Sequence, residues 1–427
     1  MRVLLVNTSE HTGGASIAAK RLMKALNNNG VEAKMLVRDR LSAHPHIQAL
    51  PKNPLLKVKF VLERLEIFLA NRFSKKNLFA IDHASHGSDI THLPEFQQAD
   101  IIHLHWVNQA MLSLKDIRKI IRSGKPVVWT LHDMWACTGV CHQADTCKGW
   151  LTGCGHCPLL QGDSANDLSH RTYLRKQQLF SESKMTLVAC SNWLADIARR
   201  APILKGQQVV SIPNPIDTQY FHPQDKKAAR RRLGLPADKH ILLFVAYKAT
   251  DKNKGIDYLI EAIQIISKRQ PELSQQLCVV PVGHEAESLR QSFACEACPH
   301  DYVTDQQTML DLYNAADLLM MPTLMDNLPN TIVEAMACGV PCVGSDVGGL
   351  PQMITHGTDG YLARLRDAED FATGIEKMLL HKDYAQMATA ARQKAVNSYS
   401  EEAVAQKYTE IYQQVKPISA CLSTKKL

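Results

Sequence analysis

The chain has 427 residues, enough for two or three domains of roughly 150 residues that each bury a core. It is 45% hydrophobic and 21% charged, and its 21 glycines and 19 prolines follow no period, which excludes collagen-like, disordered and coiled-coil classes. No uncharged apolar run approaches the ~18 residues that would span a bilayer, and the first apolar stretch is shorter than a signal-peptide core of ~7 to 15 residues. A cytoplasmic location is therefore expected.

The net charge of +7 is unevenly distributed along the chain. Residues 1–200 carry 26 basic and 16 acidic side chains, whereas residues 201–427 carry 23 and 26. A basic first half suits a phosphate-bearing partner, an anionic membrane surface or nucleic acid. The twelve cysteines are expected to be reduced or metal-bound in the cytoplasm.

Hydrophobic periodicity predicts two series of alternating strands and helices. In the first series, the glycines Gly13 and Gly14 lie in the loop between a buried strand and an amphipathic helix. The predicted strands are 3–6, 33–37, 101–104, 127–131, 186–189 and 209–212, and the predicted helices are 15–26, 114–121 and 193–199. Pro213 and Pro215 then interrupt the pattern, because proline fixes φ and cannot donate to a β-ladder, and this predicts a hinge.

The second series follows the hinge. Its predicted strands are 241–245, 277–281, 318–321 and 341–344, and its predicted helices are 226–233, 256–268, 309–315 and 331–338. A last helix, 401–415, is expected to cross back onto the first domain, and residues 416–427 are expected to be a frayed tail.

This alternation predicts an α/β protein with two doubly wound, Rossmann-like parallel-sheet domains facing across a crevice. The predicted domains are 1–212, including a cysteine loop at 137–158, and 213–398, followed by the helix and tail of 399–427. Open α/β sheets bind ligands at the carboxyl ends of their strands, so the active site is expected in the crevice.

Two carboxylates, Asp326 and Glu334, frame a loop that opens a helix in the second domain. The amides of residues 330–332 at the helix N-terminus suit phosphate oxygens, and the carboxylates suit sugar hydroxyls. The alternative is a capped helix, in which Asn330 is the N-cap and Glu334 only favours the helix dipole.

Over residues 1–415 the chain resembles retaining glycosyltransferases of family 4, which have the GT-B fold. The region from Asp326 to Glu334 and the following EAMACG-x-P segment resemble that family's E-x7-E region. The other supporting motifs, in an order and spacing specific to the family, are Gly13-Gly14, Thr130-Leu131-His132-Asp133, the PNPID hinge at 213–217, Lys254-Gly255 and the DVGGLP segment at 346–351. The segment WTLHDMW at 129–135, with the cysteine loop, resembles exopolysaccharide-type members such as colanic acid glycosyltransferases.

The resemblance implies roles for individual residues. Glu334 would accept the ribose hydroxyls of the nucleotide, and Asp326, where the family usually has Glu, would hold hydroxyls of the donor sugar. His132 would orient the transferred sugar and acceptor. The backbone at Gly13, Gly14, Leu328, Asn330 and Thr331 would contact donor sugar or phosphate.

A cation is needed to stabilise the departing nucleoside diphosphate without a metal. The family places an Arg and, five residues later, a Lys on the diphosphate. The Arg position is Ala249 here, and Lys254 occupies the Lys position. Lys254 is therefore predicted to be the cation, with Lys248 or Lys252 as possible substitutes.

The cysteine loop contains a candidate metal site. Cys141 and Cys147 are separated by five residues and Cys154 and Cys157 by two, and four thiolates could close a tetrahedral zinc site. The zinc would be structural, because all four ligand positions would be occupied by protein. Free or redox-labile thiols are the alternative. Cys295 and Cys298 also have x2 spacing, but no partner pair is close in sequence, and they stay unassigned.

Residues 52–79 combine an apolar stripe with basic residues, including Lys52, Lys57 and Lys59. A basic amphipathic helix of this kind lies either on an anionic membrane surface or on the protein with one solvated face. If the acceptor is lipid-linked, as the resemblance implies, peripheral attachment to the inner face of the cytoplasmic membrane follows.

The sequence thus predicts a retaining, metal-independent glycosyltransferase of hexosyltransferase type. It would move a sugar from a UDP- or GDP-sugar donor to a saccharide acceptor, lipid-linked in exopolysaccharide or surface-glycan biosynthesis, with no catalytic cofactor and no nucleic-acid partner. The alternatives are a GT-B-type sugar-nucleotide 2-epimerase and a zinc-bearing nucleic-acid-binding protein.

Overall fold

A computed structural model describes residues 1–51 and 55–415 of the chain. The described residues form two units. The first contains Met1–Cys190, Leu194–Ile212 and the described residues from Val404 onward, and the second contains Ser191–Trp193 and Pro213–Ala403. Lys52 and the predicted tail, 416–427, lie outside the described residues.

The first unit is built on a seven-stranded parallel sheet of order β3-β2-β1-β4-β5-β6-β7. The strands are β1 Arg2–Ser9, β2 Glu32–Asp39, β3 Ile47–Ala49, β4 Ile101–Leu104, β5 Val127–Leu131, β6 Thr186–Ala189 and β7 Gln208–Ser211. Its helices are α1 Gly14–Asn28, α2 Leu55–Ala70, α3 Pro94–Gln98, α4 Leu114–Arg122, α5 Leu168–Ser181 and most of α6 Asn192–Arg200. The central strands are buried along almost their whole length and are mostly apolar, because helices cover both faces of a parallel sheet.

The second unit is built on a six-stranded parallel sheet of order β10-β9-β8-β11-β12-β13. The strands are β8 His240–Lys248, β9 Leu277–His284, β10 Glu296–Ala297, β11 Leu318–Met321, β12 Cys342–Ser345 and β13 Gly360–Ala363. The helices are α7 Lys226–Leu233, α8 Ile256–Arg269, α9 Pro271–Gln275, α10 Gln306–Ala315, α11 Asn330–Ala337, α12 Leu350–Met353, α13 Ala368–Leu379 and α14 Tyr384–Tyr399. Leu242, Phe244, Ile263 and Met320 are in its core.

The last described helix, α15 Glu401–Val415, packs on the sheet of the first unit. Val404, Tyr408 and Tyr412 are buried in the same apolar cluster as Val3 and Leu5 of β1. The hydroxyls of Tyr408 and Tyr412 add hydrogen bonds to Thr130 of β5 and His103 of β4. The first unit is therefore completed by residues that lie about 190 positions beyond Ile212 in the sequence.

The structure confirms the predicted fold class of two Rossmann-like parallel-sheet units. The sequence pattern missed β3, β10 and β13, because short edge strands give little periodic signal, and it also missed α3, α5, α9, α12, α13 and α14. Among the described residues, no helix combines the length and apolar character needed to cross a lipid bilayer.

Candidate active site

In the second unit, the loop between β11 and α11 lies at the carboxyl edge of the sheet and opens a helix. Pro329 is the N-cap residue, and no side chain caps the helix. Asn330 is the first helical residue, so the predicted capping role of Asn330 is wrong: the preceding proline takes the extended N-cap conformation. No acidic residue lies in the first turn, which leaves the dipole of the helix start available to an anion.

Lys254 contacts the first carboxylate of this loop. Its Nζ lies 2.6 Å from Asp326 Oδ2, and both side chains are partly exposed. Lys254 ends a short 3₁₀ turn, after which Gly255 has φ of 77°. A β-carbon on Gly255 would lie 1.8 Å from the carbonyl oxygen of Pro322, so only glycine lets this turn approach the loop after β11.

The other two lysines of this segment pair elsewhere. Lys248 Nζ lies 2.8 Å from Glu285 Oε1, and Lys252 Nζ lies 3.5 Å from Asp257 Oδ2. Ala249 is fully buried. Of the three lysines considered from the sequence, Lys254 is therefore the one placed at the acidic loop.

Glu334 lies one turn inside α11 and is buried. The hydroxyl of Tyr313, on α10, donates a hydrogen bond to Glu334 Oε2, which orients the carboxylate. The Thr331 hydroxyl beside the helix start is buried and has no hydrogen-bond partner among the described residues. Leu328 is also buried, and Asn330 Oδ1 accepts a weak hydrogen bond from Asn214.

The segment after β12 supports the same loop. Gly349 donates its amide to the carbonyl oxygen of Asp326 at 3.1 Å. A β-carbon on Gly348 would lie 1.9 Å from that same oxygen. The two glycines of the DVGG motif therefore permit the backbone contact that fixes Asp326.

In the first unit, Gly13 caps α1 with φ of 85° and ψ of 164°. A β-carbon on Gly13 would meet no atom within 4 Å, so the start of α1 is sterically open there. Asn7, at the end of β1, donates to Ser16 of the same helix at 3.0 Å and holds the turn in place.

His132 follows β5 and belongs to a row of three histidines. Its Nε2 lies 3.0 Å from His105 Nδ1, and its Nδ1 lies 3.4 Å from Cys190 Sγ. Burial lowers the pKa of His132 to about 4 and that of the fully buried His103 to about 3. These rings are therefore uncharged at neutral pH and interact with their neighbours through hydrogen bonds.

The row continues into the C-terminal helix. His103 Nδ1 and Tyr412 Oη are 2.7 Å apart, and His103 Nε2 and Thr130 Oγ1 are also 2.7 Å apart. Thr130 Oγ1 is 2.9 Å from the Tyr408 hydroxyl. The two tyrosines were not predicted from the sequence. Their spacing of four residues places them on one face of the helix, and this was the available signal.

Asp133 has an ordered set of partners. Burial opposes its ionisation, but His142 at 2.7 Å, the amide of Trp135 and the indole of Trp106 lower its pKa. Burial opposes protonation of His142 as well, but the Asp133 carboxylate raises its pKa. Asp133 and His142 therefore form an ion pair at the end of β5, and the sequence analysis did not anticipate the role of His142.

The four loop cysteines lie near one another, and Cys141, Cys154 and Cys157 interact electrostatically. Two backbone amides point at sulfurs: Gly139 N lies 3.3 Å from Cys154 Sγ and Gly149 N lies 3.4 Å from Cys147 Sγ. Among the described residues, however, no three of these thiols are within 4.8 Å of one another. The predicted zinc site therefore stays a prediction that would require the loop to contract.

The cysteine loop packs against a small apolar cluster, to which it contributes Val140. Val140, Leu160 and Leu168 pack with Ile81 and with Ile67 of α2. Beside this core, the fully buried Lys176 donates hydrogen bonds to the carbonyls of Trp135 and Thr138, and burial lowers its pKa to about 7. The loop is thus held by packing and hydrogen bonds.

The predicted site residues divide between the two units. Lys254, Asp326, Leu328, Asn330, Thr331 and Glu334 lie around the start of α11 in the second unit. Gly13, Gly14 and His132 lie at the carboxyl edge of the first sheet. Each set is placed where parallel sheets bind ligands.

Two family models match parts of the chain. The family described as Glycosyltransferase Family 4 matches residues 12–220, and that described as Glycosyl transferases group 1 matches residues 239–381. The two matches therefore place similarity to glycosyltransferase families in both units. The E-x7-E-like region around Asp326 lies within the second match.

The chain is similar to a D-inositol 3-phosphate glycosyltransferase of Thermobispora bispora, with 32% identity over 48% of this chain and 50% of the relative. The chain spans about half the length of the first curated relatives it matches. Among solved structures, it resembles sucrose-phosphate synthase from Thermosynechococcus elongatus, with 19% identity, a TM-score of 0.65 and coverage of 97% and 98% of the two chains. It also resembles Anabaena HepE in complex with UDP-glucose, with 16% identity, a TM-score of 0.64 and coverage of 97% and 100%.

Proposed function

We propose that this glycosyltransferase transfers a sugar, with retention of anomeric configuration and without a catalytic metal, from a nucleotide-sugar donor to a saccharide acceptor. The observation that carries the proposal is the contact between Lys254 and Asp326 beside the uncapped start of α11. A cation, two carboxylates and the backbone amides at the start of α11 together match the groups of a nucleoside diphosphate sugar.

In the proposed reaction, the diphosphate leaves with its negative charge stabilised by Lys254 and the amides of α11. Lys254 would exchange Asp326 for the diphosphate, which releases the Asp326 carboxylate to bind sugar hydroxyls. Glu334, oriented by Tyr313, would accept the ribose hydroxyls. The acceptor hydroxyl would attack the face that the diphosphate leaves and pass its proton to the diphosphate oxygen, so no covalent enzyme intermediate forms.

On the acceptor side, His132 would act as a neutral orienting group. Its low pKa, caused by burial, means that it keeps one ring nitrogen as a donor and the other as an acceptor at neutral pH. Because His105 lies at 3.0 Å, the choice of tautomer at His132 is coupled to that of its neighbour.

We propose a lipid-linked acceptor in exopolysaccharide or surface-glycan synthesis, because α2 turns apolar side chains outward. Glu63, Arg64 and Ile67 are the buried residues of α2, and Arg64 pairs with Asp82 at 2.9 Å. The outward apolar residues, each 41–60% exposed, are Leu55, Val58, Val61, Leu62, Leu65 and Leu69. With Lys57, Arg72, Lys75 and Lys76 nearby in sequence, this face suits the anionic surface of a membrane.

The donor is proposed to be a UDP- or GDP-sugar, and UDP-glucose is the first to test because the similar Anabaena HepE was crystallised with it. The names of the curated relatives make inositol 3-phosphate the first soluble acceptor to test beside lipid-linked saccharides.

The test is a panel of UDP- and GDP-sugars incubated with the full chain in the presence of EDTA. Transfer to an acceptor, with a product whose anomeric configuration by NMR equals that of the donor, is the expected result. An inverted product would refute retention, and dependence on an added divalent ion would refute metal independence. Conversion of the donor to its 2-epimer without transfer would establish the epimerase instead.

A further inference from the structure

A second group of metal-ligating side chains lies in the second unit, away from the proposed donor site. Cys295 and Cys298 have the x2 spacing of a metal knuckle but no partner pair nearby in sequence. The structure supplies a different partner, Cys278, the second residue of β9. His284, which pairs with Lys248 of β8, lies at the carboxyl end of β9, six residues beyond Cys278. At ~3.3 Å per residue, the group therefore lies about 20 Å from the carboxyl edge of the sheet.

Strand register brings three ligands to one face. β10 pairs with β9 in parallel, with Glu296 opposite Cys278, and Cys298 continues the ladder by donating its amide to the Val279 carbonyl at 2.9 Å. Because side chains alternate along a strand, Glu296 and Cys298 share the face of Cys278. Within the described ranges, these three residues form the one group of His, Cys, Asp or Glu whose ligand atoms all lie within 4.8 Å of one another.

Cys295 is excluded by the same geometry. It is one residue from Glu296 and three from Cys298, which places it on the opposite face of the strand. Its thiol lies 3.5 Å from the backbone oxygen of Glu296. The x2 motif is therefore not the ligand set.

The two oxygens of Glu296 have different neighbours. Oε2 lies 2.6 Å from Lys239 Nζ, whereas Oε1 faces Cys298 Sγ at 3.7 Å. Lys239 therefore holds the carboxylate so that its second oxygen points at the thiols. An outer-shell partner of this kind is typical of carboxylates that ligate metals.

We propose that Cys278, Glu296 and Cys298 bind a Zn²⁺ ion, with Lys239 as the positioning residue. Around a tetrahedral ion with Zn–S of ~2.3 Å, two sulfurs lie roughly 3.8 Å apart, so the group needs to contract by at most about 1 Å. Two thiolates and one carboxylate carry three negative charges, which Zn²⁺ and Lys239 neutralise. Both thiol protons are released to solvent on binding.

The three side chains leave one position of a tetrahedral site, which a water or a small external ligand would fill. Because β10 is a two-residue edge strand, the bound ion would stabilise the pairing of β10 with β9 and would take no part in sugar transfer.

The experiment measures bound zinc and cobalt in the full chain, reduced with a phosphine and dialysed against buffered metal. The variants are C278S, C298S and E296Q, and the matched control is C295S, which alters the motif but not the proposed ligand set. Wild type and C295S are expected to bind one more equivalent than C278S or C298S, and E296Q is expected to bind at least tenfold more weakly. The cysteine loop is intact in every protein, so a zinc ion there cancels from the comparison.

Two further readouts guard against misfolding. Circular dichroism of each variant without metal confirms that it is folded, and K239Q, which retains all three ligands, is expected to weaken binding while leaving the thiolate-to-cobalt absorption intact. Equal stoichiometry in wild type, C278S and C298S would overturn the proposal. So would loss of the extra equivalent in C295S, or a disulfide between Cys278 and Cys298 that persists under the reducing conditions.

Discussion

The residues around the start of α11 differ in how far their roles depend on neighbours. Lys254 and Asp326 are 72 positions apart in sequence yet touch, because Gly255 admits the Pro322 carbonyl and Gly349 bonds to the Asp326 carbonyl. The sequence motifs indicated each residue separately. Their pairing depends on the order of β8 and β11 as neighbours in the sheet.

Replacement of Glu334 by Ala is expected to weaken donor binding by at least tenfold. The change removes the proposed ribose acceptor and the hydrogen bond from the buried Tyr313 hydroxyl, at a cost of about 1–3 kcal/mol in the free energy of unfolding. Isothermal titration with the active nucleotide sugar measures the affinity. Y313F is the control: it keeps the carboxylate and should retain most of the affinity, and equal affinity in E334A and wild type would contradict the assignment.

Lys254→Met is expected to lower kcat by roughly 10² to 10³, the usual effect of removing one stabilising charge from a transition state. Lys252→Met is the matched control, because Lys252 lies in the same turn and is 83% exposed. Steady-state kinetics with saturating donor compares the two. A similar loss in both variants would point to the turn rather than to the Lys254 charge.

Asp326→Asn is expected to leave nucleoside diphosphate binding unchanged while reducing discrimination between donor sugars. The carboxylate is proposed to hold sugar hydroxyls, whereas the nucleotide depends on Glu334. Competition between two UDP-sugars in one reaction gives the ratio of kcat/KM values directly. Loss of affinity for the free diphosphate would place Asp326 at the nucleotide instead.

Among the elements, α15 packs on the first sheet through an apolar face and through a polar seam, which is formed by the hydroxyls of Tyr408 and Tyr412. Tyr408 and Tyr412 bond to Thr130 and His103, both of which are buried. A buried polar group without a partner is costly, so each of these bonds specifies where the helix docks. The apolar period of α15 predicted a helix, but not this seam.

Tyr412→Phe is expected to lower the free energy of unfolding by about 1–3 kcal/mol, because it leaves His103 Nδ1 buried without its partner. Urea unfolding followed by tryptophan fluorescence measures the change. Gln406→Ala, at an exposed position of the same helix, should lie within experimental error of wild type. A similar loss in both would mean that helix propensity, and not the hydrogen bond, sets the effect.

The histidine row makes the first unit sensitive to acid. The pKa of His103 is about 3 when folded and near 6.5 when unfolded, so the unfolded state binds more protons between these values and stability falls as pH decreases through this window. Above pH 6.5 the contribution is fully present. The urea concentration at the midpoint of unfolding is expected to decrease when the pH is lowered from 7 to 5, and H103Q should make that decrease smaller. An unchanged pH dependence in H103Q would place the acid sensitivity elsewhere.

At the scale of the whole molecule, the basic excess of residues 1–200 coincides with the outward apolar face of α2. Both features lie in the first unit, and the negative second half carries the proposed donor site. We therefore expect membrane attachment and donor binding to be separable by mutation.

A double change of Val61 and Leu65 to Glu is expected to abolish flotation with vesicles rich in anionic lipid while leaving donor affinity unchanged. The control is Leu174→Glu, an apolar residue of the same unit that is 48% exposed outside this face. Zwitterionic vesicles should bind the wild-type chain more weakly. Flotation that survives the double change would remove the argument for a lipid-linked acceptor.

Hydrophobic periodicity alone was enough to predict the fold class and many element bounds: strands 101–104, 127–131 and 318–321 and helix 226–233 agree with the structure residue by residue. Local periodicity is sufficient there, because burial on both faces of a parallel sheet leaves an apolar run that turn residues delimit. It also indicated Glu334 and Lys254 through motifs.

Which distant groups meet could not be predicted from local patterns and is seen in the folded chain. The docking of Tyr412 on His103, the pairing of Lys254 with Asp326 and the meeting of Cys278 with Cys298 all depend on strand order and register. These are set by the packing of whole elements, and a local pattern of residues carries no information about which element becomes its neighbour.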